Sequence, residues 1–218
     1  QRFKKDMSEV TFITSCPRKG EMAKIGFSSV TVIVANLLEI DLDMKFDVVV
    51  GNPPYHKVIG KSKISIAHLF AKKAFSLVKK NGYLGFINSN SGISAGQNGV
   101  PEILFGNQLL FVSPASLGKT YFPSIGIGIA VYIVCKDGMR DQQDIIYHTD
   151  GGIFTIKKDD FIFAHDDVNY IPVDVMPDDL TPLKKIMSHN RDTFQFRGGL
   201  HKKNPIGKTF FDFQTSNK

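Results

Sequence analysis

Asparagine, two prolines and tyrosine stand together at residues 52–55, directly after the apolar run Phe46–Gly51. The side-chain carbonyl of Asn52 and the backbone carbonyl of Pro53 are hydrogen-bond acceptors, and proline restricts the backbone that carries them. Two acceptors held in this way can draw the hydrogens of a conjugated amino group and localise its nitrogen lone pair. Tyr55 adds a flat face for stacking on a ring. The same residues also suit a plain rigid turn, so the surrounding elements must decide between the two interpretations.

The elements around these residues follow the order strand, loop, helix, strand. Phe46–Gly51 has the composition of a buried strand, and apolar residues recur at helical spacing over Ile64–Lys80. Gly82 is placed to end this helix, and Tyr83–Ile87 is a second apolar run. This order predicts a βαβ unit with two parallel strands.

Four further apolar runs extend the pattern on both sides. With the βαβ unit they predict an α/β fold, a three-layer sandwich with a mostly parallel, twisted sheet. Ligands in such sheets lie beyond the carboxyl ends of the strands, where Asn36 and Asn52 both fall. The four runs are Val10–Thr14, Val30–Ala35, Leu109–Ser113 and Ile127–Cys135.

The composition excludes several classes of protein. With 218 residues, 42% of them hydrophobic and 22% charged, the chain is neither disordered, collagen-like nor a coiled coil. No run approaches the roughly 18 apolar residues of a membrane span. The two cysteines, Cys16 and Cys135, form no disulfide framework or zinc pattern, so we expect a reducing cytoplasm and no metal. A net charge of +6 and a pI near 9.2 agree with a nucleic-acid partner.

The motif and its context carry a resemblance to a known family. Residues 46–55 (Phe-Asp-Val-Val-Val-Gly-Asn-Pro-Pro-Tyr) and 80–87 (Lys-Asn-Gly-Tyr-Leu-Gly-Phe-Ile) resemble class I amino-methyltransferases with an Asn-Pro-Pro-Tyr motif. The largest group of these is the adenine-specific DNA methyltransferases of restriction-modification systems. The resemblance implies methyl transfer from S-adenosylmethionine to the amino group of an adenine flipped out of double-stranded DNA. It also implies catalytic roles for Asn52, Pro53 and Tyr55, and a cytoplasmic protein of bacterial or phage origin.

Two further positions follow from the resemblance. Asn36 stands where the family usually has an acidic residue that contacts the cofactor's adenine, so Asn36 and Asn52 are the cofactor-binding candidates. Phe122 resembles the aromatic residue that sandwiches the flipped base from the side opposite Tyr55. Its alternative role is core packing, in a chain with 18 phenylalanines.

Basic residues supply the candidate DNA contacts. Lys57, Lys61 and Lys63 follow the motif on a predicted loop, and residues 197–218 form a basic tail. These lysines are expected to contact phosphates beside the flipped nucleotide, or else to form a solvated face. We place a soft boundary near residue 138. Residues 1–138 would be the catalytic domain, and residues 139–218 an accessory region or the start of a target-recognition region.

The chain departs from the family pattern at its front. No strand followed by a Gly-x-Gly loop precedes Val10–Thr14, and the Gly-Ile-Gly at 126–128 lies too late to serve as a cofactor loop. A missing N-terminal segment or a partner subunit is therefore expected to complete the cofactor site. Two other functions stay open: methyl transfer to a protein glutamine or to RNA, and nucleic-acid binding by an inactive methyltransferase-like module.

Overall fold

The computed structural model describes residues 7–60, 62–90, 93, 100–138, 144–161, 163–165, 168–170 and 175–182. A short 3-10 turn covers Met7–Glu9. The helices are α1 (Pro17–Gly26), α2 (Ala67–Ser76), α3 (Val100–Gly106), α4 (Ser116–Tyr121) and α5 (Lys158–Phe161). The strands are β1 (Thr11–Thr14), β2 (Thr31–Val34), β3 (Phe46–Gly51), β4 (His56–Ile59), β5 (Ser62–Ser65), β6 (Val78–Ser89), β7 (Gln108–Ser113), β8 (Ile129–Cys135), β9 (Asp144–Thr149), β10 (Gly152–Lys157), β11 (Phe163–His165) and β12 (Val168–Tyr170).

The main sheet is mixed. Its strand order is β10-β9-β7-β8-β6-β3, in which β3 runs parallel to β6 and β7 runs parallel to β9. The other three neighbouring pairs are antiparallel. The predicted α/β fold is confirmed, but a mostly parallel sheet is wrong, because the antiparallel strand β8 inserts between β6 and β7. Strands β1 and β2 pair in parallel as a separate two-stranded sheet.

The predicted βαβ unit is present, with a hairpin inside it. Strands β3 and β6 pair in parallel and α2 connects them, but β4 and β5 form an antiparallel hairpin where the sequence predicted a loop. The helix is also shorter than Ile64–Lys80. Ile64 pairs with Lys57 in the hairpin, and Val78 already pairs with Phe46 in the sheet. Strand pairing therefore overrides helical spacing at both ends of this segment.

One face of the main sheet forms the core. Leu84, Tyr132 and Tyr147 are fully buried on it, and α2 and α3 pack together over β6 and β7. The buried residues of α2 are the small side chains Ala67, Ala71 and Ala74, which allow the helix to approach the strands closely. At the far edge, the Phe161 ring lies 4.8 Å from the Tyr147 ring, measured between centroids.

The opposite face of the main sheet is apolar but only partly covered. Val48, Val50, Tyr83, Ile133 and Ile146 fall on it by strand register, and each is more than a third exposed. Helix α4 covers one end of this face, where a Cβ on its glycine at position 118 would meet the backbone of β8. Within the described residues, the predicted sandwich therefore has one full helical layer and one partial layer.

The division of the chain differs from the predicted boundary. Strands β9 and β10 extend the main sheet through β7, so residue 138 lies between strands of one sheet. The chain divides into the compact units Gln1–Asp174 and Val175–Lys218, and residues 175–182 of the second are described. The basic tail 197–218 lies outside the described residues. None of the described helices is long and apolar enough to cross a membrane.

A pair of truncations tests which face of the sheet is covered. Leu84→Ala should lower the free energy of unfolding by about 2–5 kcal/mol, because the side chain is fully buried. Val50→Ala should cost about 1 kcal/mol or less, because Val50 is 76% exposed. Urea denaturation monitored by circular dichroism measures both values. Equal losses for the two variants would mean that Val50 is covered in solution.

Candidate active site

The Asn-Pro-Pro-Tyr turn begins where β3 ends beside β6. Gly51, the last residue of β3, pairs with Phe86, so Asn52 follows at the carboxyl edge of two parallel strands. A Cβ at Gly51 would lie 2.7 Å from the Phe86 ring, closer than atoms can approach. Glycine therefore allows the ring to pack against the backbone at the start of the turn.

A hydrogen bond joins the two ends of the motif. The Tyr55 hydroxyl donates to Asn52 Oδ1 at 2.8 Å. Asn52 is exposed and Tyr55 is partly buried, and this burial raises the pKa of the Tyr55 phenol above its ordinary value. The phenol therefore keeps its proton and remains a donor at neutral pH. Since a carbonyl oxygen has two lone pairs, Asn52 Oδ1 can still accept a second hydrogen bond.

The predicted basic loop is the β4–β5 hairpin, and its base is fixed to the motif. The Ile66 N–H donates to the Tyr55 carbonyl at 3.0 Å, which closes the hairpin where α2 begins. Lys57 is exposed on β4. Lys61 lies outside the described residues, and only the backbone of Lys63, in β5, is described. The structure thus places Lys57 two residues after Tyr55 on a defined strand.

Phe122 follows α4 and lines a cavity of about 180 Å³. Strand register places this cavity at the same edge of the sheet as the motif, because Ile129 pairs with Ser89 at the end of β6. The β8 strand is two strand spacings from β3, about 10 Å at the usual spacing. Phe122 is partly buried, and part of its side chain lines the cavity. The cavity is also lined by Gly118, Lys119, Ile125, Ile127 and Gly128.

A polar network that the sequence analysis missed fixes the start of α4. Ser116 Oγ lies 2.6 Å from His148 Nδ1 and 3.0 Å from Ser113 Oγ, and the Leu117 N–H donates to Ser113 Oγ at 3.2 Å. The three side chains belong to α4, β9 and β7. They hold the helix that precedes Phe122 against two strands. Their separation in sequence explains why no local pattern could reveal them.

Asn88 is a second residue that sequence reasoning missed. It is fully buried near the end of β6, and its Oδ1 accepts the Ser89 N–H at 2.8 Å. Its side chain faces Tyr132 of β8, where burial raises the pKa of the phenol and Asn88 counteracts that shift. Asn88 Nδ2 and the Tyr132 hydroxyl are both buried without a hydrogen-bond partner among the described residues. The only sequence signal was an asparagine at the end of an apolar strand.

Asn36, the candidate cofactor contact, forms a turn after β2. Its Oδ1 accepts the Leu38 N–H at 3.2 Å, and its Nδ2 donates to Glu39 Oε1 at 2.7 Å. The bond from Asn36 thereby holds the exposed carboxylate of Glu39 after the end of β2. This is the strand end where methyltransferases with the Asn-Pro-Pro-Tyr motif usually have an acidic residue. Asp47 of β3 pairs with Lys79 of β6 at 3.0 Å.

Comparison with known proteins identifies the segment that carries the motif. Residues 23–110 match the model of the Eco57I restriction-modification methylase family. The matched methylase segment covers less than half of the chain, and it contains β2, β3, the Asn-Pro-Pro-Tyr turn, the hairpin, α2, β6 and α3. No curated protein matches the chain.

Solved structures give the fold around the methylase segment. The chain is 13% identical to a modification subunit assigned to a type I restriction enzyme from Vibrio vulnificus YJ016, with a TM-score of 0.54 over 80% of this chain. It is also 13% identical to the M protein of the type I restriction enzyme EcoKI, with a TM-score of 0.51 over 64% of this chain. The chain spans only 49% and 35% of these two proteins. The likeness confirms a methyltransferase-type α/β fold.

Removing one hydroxyl tests whether Tyr55 restrains Asn52. In Tyr55→Phe the Asn52 carboxamide loses its donor, so its heteronuclear NOE should fall in NMR relaxation spectra. In the wild type the NOE should stay constant from about pH 6 to 9, because the raised pKa of Tyr55 lies above that range. Tyr83→Phe, at a position paired with Val48, is the matched control and should change nothing at Asn52. An unchanged NOE in Tyr55→Phe would show that the bond does not restrain Asn52.

Proposed function

We propose that this protein is a site-specific DNA adenine methyltransferase, or the catalytic part of one, in a restriction-modification system. The reaction moves a methyl group from S-adenosylmethionine to the exocyclic amino group of an adenine rotated out of the duplex. The observation that carries the proposal is the exposed Asn52 carbonyl, held by the Tyr55 hydroxyl at the end of a parallel strand within the methylase segment.

The geometry of the turn suits an amino acceptor. The adenine amino nitrogen is a weak nucleophile, because its lone pair is delocalised into the ring. Asn52 Oδ1, through its second lone pair, and the Pro53 carbonyl would each accept one amino hydrogen and localise the lone pair on nitrogen. The Tyr55 ring would stack on the base, with Phe122 and its cavity on the far side. After transfer, the surplus amino proton leaves to solvent.

The described residues fit part of a site for S-adenosylmethionine. The cofactor, when bound, supplies a methyl group on a positively charged sulfur, and the carbon–sulfur bond breaks as the new carbon–nitrogen bond forms. Asn36 and Glu39 offer amide and carboxylate groups at the end of β2, which suit the amino group and hydroxyls of an adenosine. Asn52 would lie beside the methyl group. The sequence has no glycine-rich loop after its first strand. A further segment or a partner subunit would therefore hold the methionine part of the cofactor.

Substitutions at Asn52 test the catalytic role. Asn52→Ala removes the acceptor and should lower kcat at least roughly 100-fold, whereas Asn52→Asp keeps acceptor oxygens in the same place and should retain more activity. Transfer of radiolabelled methyl groups to DNA by the full protein measures both. Since Asn52 is exposed, the urea midpoints of the variants should match the wild type. Full activity in Asn52→Ala would rule out the assigned role.

The acceptor itself is tested with a panel of substrates. Unmethylated genomic DNA, ribosomal RNA and a peptide-release factor are incubated separately with protein and labelled cofactor. We expect label only in DNA, and sequencing of the modified DNA should place it on adenine within one short recurring sequence. Label on RNA or on a glutamine of the release factor would replace this proposal with the corresponding alternative. Folded wild-type protein that binds DNA without labelling any of the three would support an inactive module.

The role of Lys57 is tested by the salt dependence of DNA binding. If Lys57 contacts a phosphate, Lys57→Gln should weaken binding to all duplex sequences alike and reduce the slope of log K against log salt by about 0.9. Fluorescence anisotropy at several salt concentrations gives this slope. Lys24→Gln, on the last turn of α1, is the control and should leave it unchanged. An unaltered slope in Lys57→Gln would show that Lys57 contacts no phosphate and lies on a solvated face.

A further inference from the structure

The β4–β5 hairpin exposes apolar side chains at its tip. Val58 is 66% exposed and Ile59 is 54% exposed, in the last two positions before the turn. The turn is tight, because Ile59 pairs with Ser62, and Gly60 has a φ of +61°, which glycine adopts without strain. Two exposed β-branched residues at the end of a hairpin offer an apolar surface to a partner.

The two tip residues lie on opposite faces of the ribbon. Successive residues of a strand alternate in direction, so Val58 points to one face and Ile59 to the other. Around this apolar tip the sequence carries Lys57, Lys61 and Lys63, with no acidic residue from His56 to Ser65. The tip is therefore apolar on both sides and stands in a uniformly basic segment.

The hairpin projects directly from the candidate site. His56, its first residue, follows Tyr55, and the bond from the Ile66 N–H to the Tyr55 carbonyl closes its base. Four residues of strand span about 13 Å, which exceeds the roughly 8.5 Å depth of the major groove. A two-stranded ribbon also fits the width of that groove. The hairpin is therefore long enough for its tip to reach the base stack of a duplex bound at the candidate site.

We propose that the hairpin is an apolar wedge, whose tip residues Val58 and Ile59 enter the base stack of the duplex where the target base has left it. This inference rests on the proposed function. A wedge between two base pairs contacts one base on each side, which requires apolar groups on both of its faces. Lys57, exposed on β4, would pair with a phosphate beside the position that the base has left. The partner of this surface is therefore duplex DNA. A basic or neutral protein would not complement the positive charge of the hairpin segment.

The wedge is tested by following base extrusion directly. The duplex contains the sequence mapped by methylated-DNA sequencing, with 2-aminopurine, which brightens on unstacking, at the target position. In the double variant Val58→Ser, Ile59→Ser, the fluorescence gain at saturating protein should fall about five-fold, and kcat/KM on adenine-containing DNA roughly 10- to 100-fold. Ile153→Ser, which is 68% exposed in the β9–β10 hairpin, is the matched control and should behave as the wild type.

A second duplex separates a wedge from a merely structural role. When the position opposite the target adenine is abasic, extrusion breaks no base pair, and the double variant should recover to within about three-fold of the wild type. A second double variant, Val58→Thr, Ile59→Thr, keeps β-branched residues, which favour the strand conformation. If base extrusion is lost in both double variants, unfolding of the hairpin is not the cause.

The outcomes are distinct. Normal extrusion by an active double variant would overturn the wedge and leave the proposed function standing. An equal loss of affinity for both duplexes, without rescue, would make the hairpin a backbone contact only and also overturn it. If the double variant extrudes the base normally but no longer binds an acidic protein, the hairpin tip is instead a binding surface for that protein. A wild type that methylates no DNA would remove the proposed function and the wedge together.

Discussion

The parallel pairing of β3 with β6 is the constraint on which the site depends. It brings the end of one strand, Gly51, beside Phe86 of the other, and the absence of a side chain at Gly51 lets the Phe86 ring pack against it. The backbone can then leave the sheet at once and enter the Asn-Pro-Pro-Tyr turn. The Tyr55 hydroxyl holds the Asn52 carbonyl at the far side of this turn. An exposed hydrogen-bond acceptor is thus held at the end of β3, the edge strand of the main sheet.

Other elements place further residues at the edge of the main sheet where β3 and β6 end. Strand β8 brings Gly128 and Ile129 beside the end of β6, and the Ser113, Ser116 and His148 network fixes the helix that leads to Phe122. Buried polar groups are costly unless they are hydrogen-bonded to one another, so this network favours one position of the helix against the strands.

Part of this arrangement was predictable because its causes are local. Three valines in a row after Phe46 and Asp47 identify β3, and an asparagine with two prolines after them predicts a rigid turn whatever the rest of the chain does. The α/β fold followed from the same runs. The hairpin was not predictable, because Ile64 and Ser65 continue the helical spacing of α2 and only their pairing with Lys57 and His56 makes them a strand. Lys79, expected on the helix, instead lies in β6 and pairs with Asp47.

By itself, the sequence determined which residues are candidates for the chemistry, since acceptor, rigid turn and aromatic ring are properties of residue type and spacing. Only the tertiary structure decided what surrounds them. The sheet is mixed because β8 inserts between β6 and β7, a pairing of distant segments that leaves no periodic mark in the chain. The Tyr55 to Asn52 and Asn36 to Glu39 bonds join residues only three positions apart, but residue type alone does not show that they form. The exposed tip of the hairpin depends on the pairing of β4 with β5, which local propensity does not supply.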